Sequence, residues 1–240
     1  MKISRLVLGG VLALAPSSAH AFGNANAKVQ LHLTPPFTSQ VCSRAESNPS
    51  CDQIDTSGGL YPTNYFVHLL ITDGDPVEGV VTLANSIQYD AAPGSGVDVW
   101  TWSLCARLEL ASAGWPSSGG RNLISWGSGN CERNEPGGPG TGVVAHAGYF
   151  YISAYSADVM RVVPNENNPG QPGLYRKVVV SNCDGQPDII EDLDNPNVPS
   201  HLGSVAFSAT GLVEGTNPCL KIVPVTSATW SRIKSGLIDE

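Results

Sequence analysis

The chain has 240 residues, of which only 14% are charged, and a formal net charge of −8. That acidic balance argues against nucleic acid as a partner, because binding phosphates requires clustered Lys and Arg. Punctuation by 26 glycines and 18 prolines, with almost no helical periodicity, points to short strands joined by turns.

Residues 1–21 carry the pattern of a secretory signal peptide. Lys2 and Arg5 form a positive start, residues 6–15 an apolar stretch, and Ala19-His20-Ala21 a small-x-small cleavage site that predicts Phe22 as the mature N-terminus. The apolar stretch is about half the roughly 20 residues a membrane span needs, and no Cys follows it to accept a lipid. No later stretch is apolar enough to cross a bilayer. A soluble mature chain in the periplasm or outside the cell is therefore expected. Cleavage removes two of the 13 basic residues and none of the 21 acidic ones, so the mature chain is more acidic still. Plain solubility and Ca2+ binding are both compatible with that charge. Residues 22–225 are expected to form one β-sandwich domain, followed by a tail at 226–240.

All six cysteines (Cys42, Cys51, Cys105, Cys131, Cys183 and Cys219) lie after the signal. An even count in an exported chain predicts three disulfides, and sequence alone leaves their connectivity open. Nearest-neighbour pairing is the expectation: Cys42 with Cys51, Cys105 with Cys131, and Cys183 with Cys219. A zinc site is not expected, since no C-x-x-C pair occurs.

In chain order, residues 28–33 alternate, with Val29, Leu31 and Leu33 facing inward and Gln30 and His32 outward, which predicts a half-exposed strand. Pro35-Pro36 ends it, and 39–64 reads as a polar loop. Residues 65–72 form a dense apolar run suited to a buried strand, stopped by Asp73-Gly74-Asp75-Pro76. Residues 77–89 resume as a strand with Val81, Leu83, Ile87 and Tyr89 on one face, interrupted by Asn85 at a bulge or ladder end. Residues 97–110 read as one strand in which Trp100, Trp102, Leu104 and Leu108 share a face. A loop at 114–120, a short strand at 122–126 and a flexible Gly-rich stretch at 127–142 follow. Residues 143–156 place Tyr149, Tyr151 and Tyr155 on one face and Phe150, Ile152 and Ala154 on the other. Strands are also expected at 159–163, 175–180, 203–208 and 220–225, with an acidic, Pro-containing segment at 184–200. At the end, Trp230, Ile233 and Leu237 behind Ser227 and Thr229 predict a short amphipathic helix over 226–237. A helix that short must dock on something.

The residues offer few marks of catalysis. His32, His68, His146 and His201 show no metal-ligand spacing, and His68 reads as a satisfied core or sheet-face histidine. No nucleophile elbow, P-loop or dinucleotide fingerprint occurs, although a triad assembled from distant residues remains open. Two acidic loops carry the oxygens that calcium wants: Asp73 and Asp75, and the run holding Asp184 and Asp188. Solvated turns are the plainer account of both. The aromatic residues of the middle third would form a sugar-binding platform if exposed and the core if buried. Trp115, Trp126, Tyr149 and Tyr151 are the candidate ligand-binding residues, with Trp115 expected to be the most exposed.

The segment Pro76-Val77-Glu78-Gly79-Val80 leading to Ile87-Gln88-Tyr89-Asp90 resembles the strand after which cohesin-like and related carbohydrate-binding modules place a Tyr-Asp pair. Gly148-Tyr149-Phe150 is similar to a later strand entry of that fold. The cysteines and the Trp-rich middle depart from the cohesin pattern, which puts dockerin recognition in doubt. Over its whole length the chain looks like uncharacterised exported bacterial proteins that end in Asn217-Pro218-Cys219 and Thr229-Trp230-Ser231-Arg232-Ile233-Lys234. These resemblances imply an all-β fold, a single antiparallel sandwich of cohesin-like or jelly-roll-like type, and an extracellular compartment. The expected function is a non-catalytic binding or assembly module for a glycan or another exported protein. A carbohydrate-binding module and a hydrolase with an unrecognised triad are the alternatives.

Overall fold

A computed structural model describes residues 23–166, 173–195 and 201–220. Among the described residues twelve strands run in chain order: β1 (Lys28–Thr34), β2 (Ser57–Gly58), β3 (Asn64–Gly74), β4 (Thr82–Gln88), β5 (Val97–Leu104), β6 (Leu108–Ala111), β7 (Arg121–Ser125), β8 (Val143–Ala154), β9 (Asp158–Val163), β10 (Lys177–Ser181), β11 (Pro187–Asp192) and β12 (Ser204–Phe207). No α-helix occurs among the described residues, only three 3-10 turns. The expected helix over 226–237 and most of the expected strand at 220–225 lie outside the described residues.

The strands form two sheets. The first has the order β1-β3-β8-β5. The second has the order β11-β10-β4-β9-β12-β2, with β7 added to β4 and β6 to β7. Alternation along each strand sends one set of side chains inward. Val29 and Leu31 of β1, Val67, Leu69 and Ile71 of β3, and Phe150 and Ile152 of β8 meet Leu83, Ile87, Ile124, Met160, Val178, Ile190 and Phe207 of the second sheet in one hydrophobic core. Burying each of these large side chains stabilises the fold by about 1.5–3 kcal/mol.

Strand β3 is the axis of the first sheet, antiparallel to β1 on one side and β8 on the other. Its Phe66–Thr72 stretch is buried throughout, as the apolar run predicts. The acidic turn then carries the chain to the other sheet. Asp75 Oδ1 accepts the backbone N–H groups of Val77 and Glu78 at 2.7 and 3.0 Å, fixing the turn. The interruption at Asn85 is a ladder end: β10 pairs with β4 as far as Ala84, and β9 takes over at Ser86.

Several expectations are corrected. Residues 97–110 are two strands in different sheets, β5 and β6, turning at Cys105, whose N–H donates to Ala147 O at 2.9 Å. A register shift between Val99 and Thr101 also puts Trp100 and Trp102 on opposite faces. Trp102 lies inward on Phe150 (centroids 4.5 Å apart), with its Nε1 donating to Glu109 Oε2 at 2.9 Å. Trp100 lies outward and 56% exposed. The acidic segment contains β11, which sequence pattern hides because its inward positions are Asp188, Ile190 and Asp192 while Ile189 faces solvent.

The outer face of β1 is not exposed either. Gln30 (0%) and His32 (6%) are covered by the chain between β1 and β2. His32 Nε2 donates to Glu46 O at 2.9 Å, and Gln30 Nε2 donates to Thr72 Oγ1 at 2.5 Å.

A further correction concerns the disulfides, which join Cys42–Cys105, Cys51–Cys219 and Cys131–Cys183. All three nearest-neighbour pairings are therefore wrong. Each bridge instead ties a loop to a segment distant in the chain, because sheet pairing brings those segments together across the outer face and the loop ends. Closing longer loops removes more unfolded-state entropy. The Gly-rich stretch expected to be most flexible is also tied down. Cys131 anchors one end, and Glu135 Oε1 accepts the N–H groups of Gly140 and Gly142 at 2.9 and 3.1 Å.

Proteolysis of the oxidised protein followed by mass spectrometry should recover peptides linked 42–105, 51–219 and 131–183, and a 42–51, 105–131 or 183–219 pair would contradict this topology. Gly148 is a second check. A Cβ there would stand 2.4 Å from the Trp102 ring and 2.5 Å from Ser103 O, so no side chain fits without moving backbone. Gly148→Ala should lower stability by about 1–3 kcal/mol in thermal or urea denaturation.

Candidate binding surface

The outer face of the first sheet follows directly from its register. Thr34, Phe66, Tyr151 and Thr101 form one row, and His32, His68, Tyr149 and Ser103 the next. The histidine end lies beneath the chain that links β1 to β2. The tyrosine end is open.

At the open end is a groove of about 330 Å³ lined by Phe37, Phe66, Tyr149, Tyr151, Thr101 and Ser103, among others. Phe66 lies 4.8 Å from Tyr149 and 5.7 Å from Tyr151, and Phe37 packs edge-on to it at 5.4 Å. The Arg44 guanidinium caps Phe37 at 4.6 Å. A hydrogen-bonded chain extends the surface sideways. Trp100 Nε1 donates to Ser153 Oγ (3.0 Å), Ser153 Oγ to Asn64 Oδ1 (2.6 Å), and Asn64 Nδ2 to Tyr151 Oη (2.9 Å). The exposed Trp100 ring is thus fixed relative to the tyrosines.

Of the four ligand-binding candidates from sequence, the structure brings two together, Tyr149 and Tyr151. Trp115 packs inward instead, 5.1 Å from Trp102 and 5.5 Å from Phe150, so it is not the exposed ring that its loop suggests. Trp126 is 3% exposed and belongs to the core. Sequence reasoning missed Phe37 and Phe66, and left Trp100, one of the middle-third aromatics, out of its four ligand-binding residues. Phe66 could have been found from its outward parity in β3. The bulge that turns Trp100 outward leaves no mark in the sequence.

The covered end holds a histidine network whose proton positions follow from its partners. The Cys42 carbonyl can only accept, so His146 carries its proton on Nδ1 (3.2 Å). His146 Nε2 then accepts from His68 Nδ1 at 3.1 Å, and His68 Nε2 accepts from the Thr34 hydroxyl at 2.9 Å. In His32, Nε2 donates to Glu46 O while Nδ1 accepts the Asp55 N–H at 2.9 Å. All three rings are neutral, as a satisfied sheet-face histidine requires. Burial holds His68 well below the usual histidine range, with the neighbouring His146 and His32 adding to it, and pushes His146 down to about 4. His32 is lowered by burial and partly restored by its bonds to Glu46 and by Asp55.

A second concavity of about 800 Å³ lies between the Cys42-to-Gln53 chain and the Glu132-to-Thr141 chain, with His146 and Trp126 among its lining residues. The four acidic candidates do not converge. Asp73 pairs with Lys28 at 3.5 Å, Asp75 is committed to its turn, and Asp188 accepts the Asn24 N–H at 3.1 Å. No group of three or more His, Cys, Asp or Glu is arranged to hold a metal among the described residues. Calcium binding at Asp75 would have to compete with its two backbone hydrogen bonds.

No family model and no curated protein matches the chain. Among solved structures, the chain is similar to a cohesin module from a Clostridium perfringens ATCC13124 family 33 glycoside hydrolase, with 9% identity and a TM-score of 0.39 over 76% of this chain and 98% of that one.

The network has a consequence for acid stability. Histidines of the unfolded chain take up protons below about pH 6.5, while the buried rings resist. Stability is therefore complete above that value and falls as pH drops toward 4, by about 2 kcal/mol from His146 alone at about pH 5. Burial raises the carboxyls of Glu132 and Asp188, which act in the opposite sense at more acidic pH. Urea midpoints measured across this window should fall, and His146→Gln should flatten the dependence. A level wild-type midpoint would contradict the network.

Proposed function

We propose that this protein is a secreted, non-catalytic binding module: a disulfide-stabilised β-sandwich that presents the open aromatic end of its four-stranded sheet to a partner outside the cell. The observation that carries this reading is the groove built by Phe37, Phe66, Tyr149 and Tyr151 beside the exposed Trp100. Rings left accessible in a group lose the stabilisation that burial would bring, and such patches mark interaction surfaces. The pattern of residues 1–21 and three disulfides support an exported compartment. No helix among the described residues is long and apolar enough to cross a membrane. The non-catalytic reading is supported by the sheet-face histidines: His32, His68 and His146 have both ring nitrogens committed to structural hydrogen bonds, so none of these three offers a general base.

Glycan recognition is a second reading, favoured by the hydroxyl-bearing Thr101 and Ser103 beside the rings. Aromatic faces stack on sugar rings while hydroxyls take their polar edges.

The test is a Tyr149→Ala/Tyr151→Ala double variant, assayed against a glycan array and against an exported-protein fraction. Both side chains are only half-buried, so the variant should fold with a melting temperature lowered by a few degrees. Any partner bound by the wild type should be lost, with affinity falling at least about tenfold. Full binding by the variant, or turnover of ester, peptide or glycoside substrates by the wild type, would overturn the proposal.

A further inference from the structure

The larger concavity, separate from the aromatic groove, has the build of a small-molecule site. Its volume of about 800 Å³ is within the range of about 300–1,000 Å³ typical of such sites. Its walls are two loop segments, the first containing the short 3-10 turns Ala45–Ser47 and Cys51–Gln53, and all three disulfides hold them. Cys42–Cys105 and Cys51–Cys219 pin the first wall, and Cys131–Cys183 pins the second beside Glu132. Further bonds fix the second wall to the sheets. Glu132 and Val80 exchange both backbone hydrogen bonds at 2.9 Å, and the Val144 N–H donates to Asn134 O at 3.0 Å. On the first wall, Asn48 Nδ2 locks its own turn by donating to the carbonyls of Cys42 and Arg44 at 3.1 and 2.9 Å. A concavity whose walls are held this way is pre-organised, which lowers the ordering cost of binding.

The chemistry of the lining narrows the occupant. Gln53 on one wall and Glu132 and Asn134 on the other present an amide, a carboxylate and an amide, with Gln53 and Asn134 exposed and Glu132 half-buried. Asp52 keeps one carboxylate oxygen after accepting the Ser50 hydroxyl at 2.7 Å. Two carboxylates disfavour an anion. The one guanidinium present, Arg44, is already engaged by Glu46 at 3.5 Å and by the Phe37 ring. An apolar ligand would leave the amides and carboxylates unpaired, which is costly. Hydroxyl groups both donate and accept, so they suit carboxylates and amides together. Burial without a partner raises the Glu132 carboxyl, and hydroxyl donors would relieve that desolvation.

We propose that this concavity is a second binding site, taking a neutral polyhydroxylated ligand of mono- or disaccharide size through Gln53, Asp52, Glu132 and Asn134. It is independent of the aromatic groove and of the partner assigned there.

Isothermal titration of the oxidised full chain against glucose, galactose, mannose, N-acetylglucosamine and their disaccharides tests it. At least one should bind saturably. Glu132→Ala and Asn134→Ala should each weaken that binding about tenfold without lowering the melting temperature by more than a few degrees. Tyr149→Ala should leave it unchanged. No saturable binding by any of the sugars, undiminished binding in both concavity variants, or loss on Tyr149→Ala would each overturn the proposal. Preferential binding of ethanolamine, a small cation, would overturn it equally, by assigning the carboxylates to a charged ligand.

Discussion

Strand β3 must be buried on both faces, and the arrangement around it follows from that requirement. Its inward side chains Val67, Leu69 and Ile71 meet the second sheet. Its outward ones, Phe66, His68, Leu70 and Thr72, are buried too, and among the described residues no third sheet covers them. The cover is irregular chain between β1 and β2, which brings little apolar surface of its own. It is held by covalent bridges from Cys42 and Cys51 and by hydrogen bonds to neutral histidines. Each histidine there offers one donor and one acceptor, which matches the mixed needs of a loop backbone that cannot satisfy itself.

A cover of limited extent leaves edges, and the two concavities lie at those edges. On one side the loop stops at Phe37, and the half-buried Tyr149 and Tyr151 remain accessible beyond it, over the buried Phe66. On the other side it faces the chain from Glu132 to Thr141 across a polar gap. Arg44 is common to both, lining the gap while its guanidinium lies over Phe37. The features with chemical interest are therefore by-products of how one sheet face is closed. Neither is marked by a motif.

The sequence by itself determined the strand composition, the burial of the run before the acidic turn, the even cysteine count and the shared face of Phe150 and Ile152. These are local properties: side-chain periodicity and turn chemistry act over a few residues and need no knowledge of what lies opposite. It also placed Tyr149 and Tyr151 on one face, two of the residues that line the groove. The tertiary structure alone decided which cysteines meet, because pairing depends on segments brought together across more than 50 residues in every bridge. It decided that Gln30 and His32 are buried, since a polar outward face is covered only when a distant loop lies on it. It decided that Trp100 faces out while Trp102 faces in, through one bulged residue that inverts the parity of the strand. It decided that Trp115 packs on Trp102 and Phe150, a contact that its loop sequence does not reveal. Local chemistry says which residues could be core. Only the closing of one surface on another says which of them are.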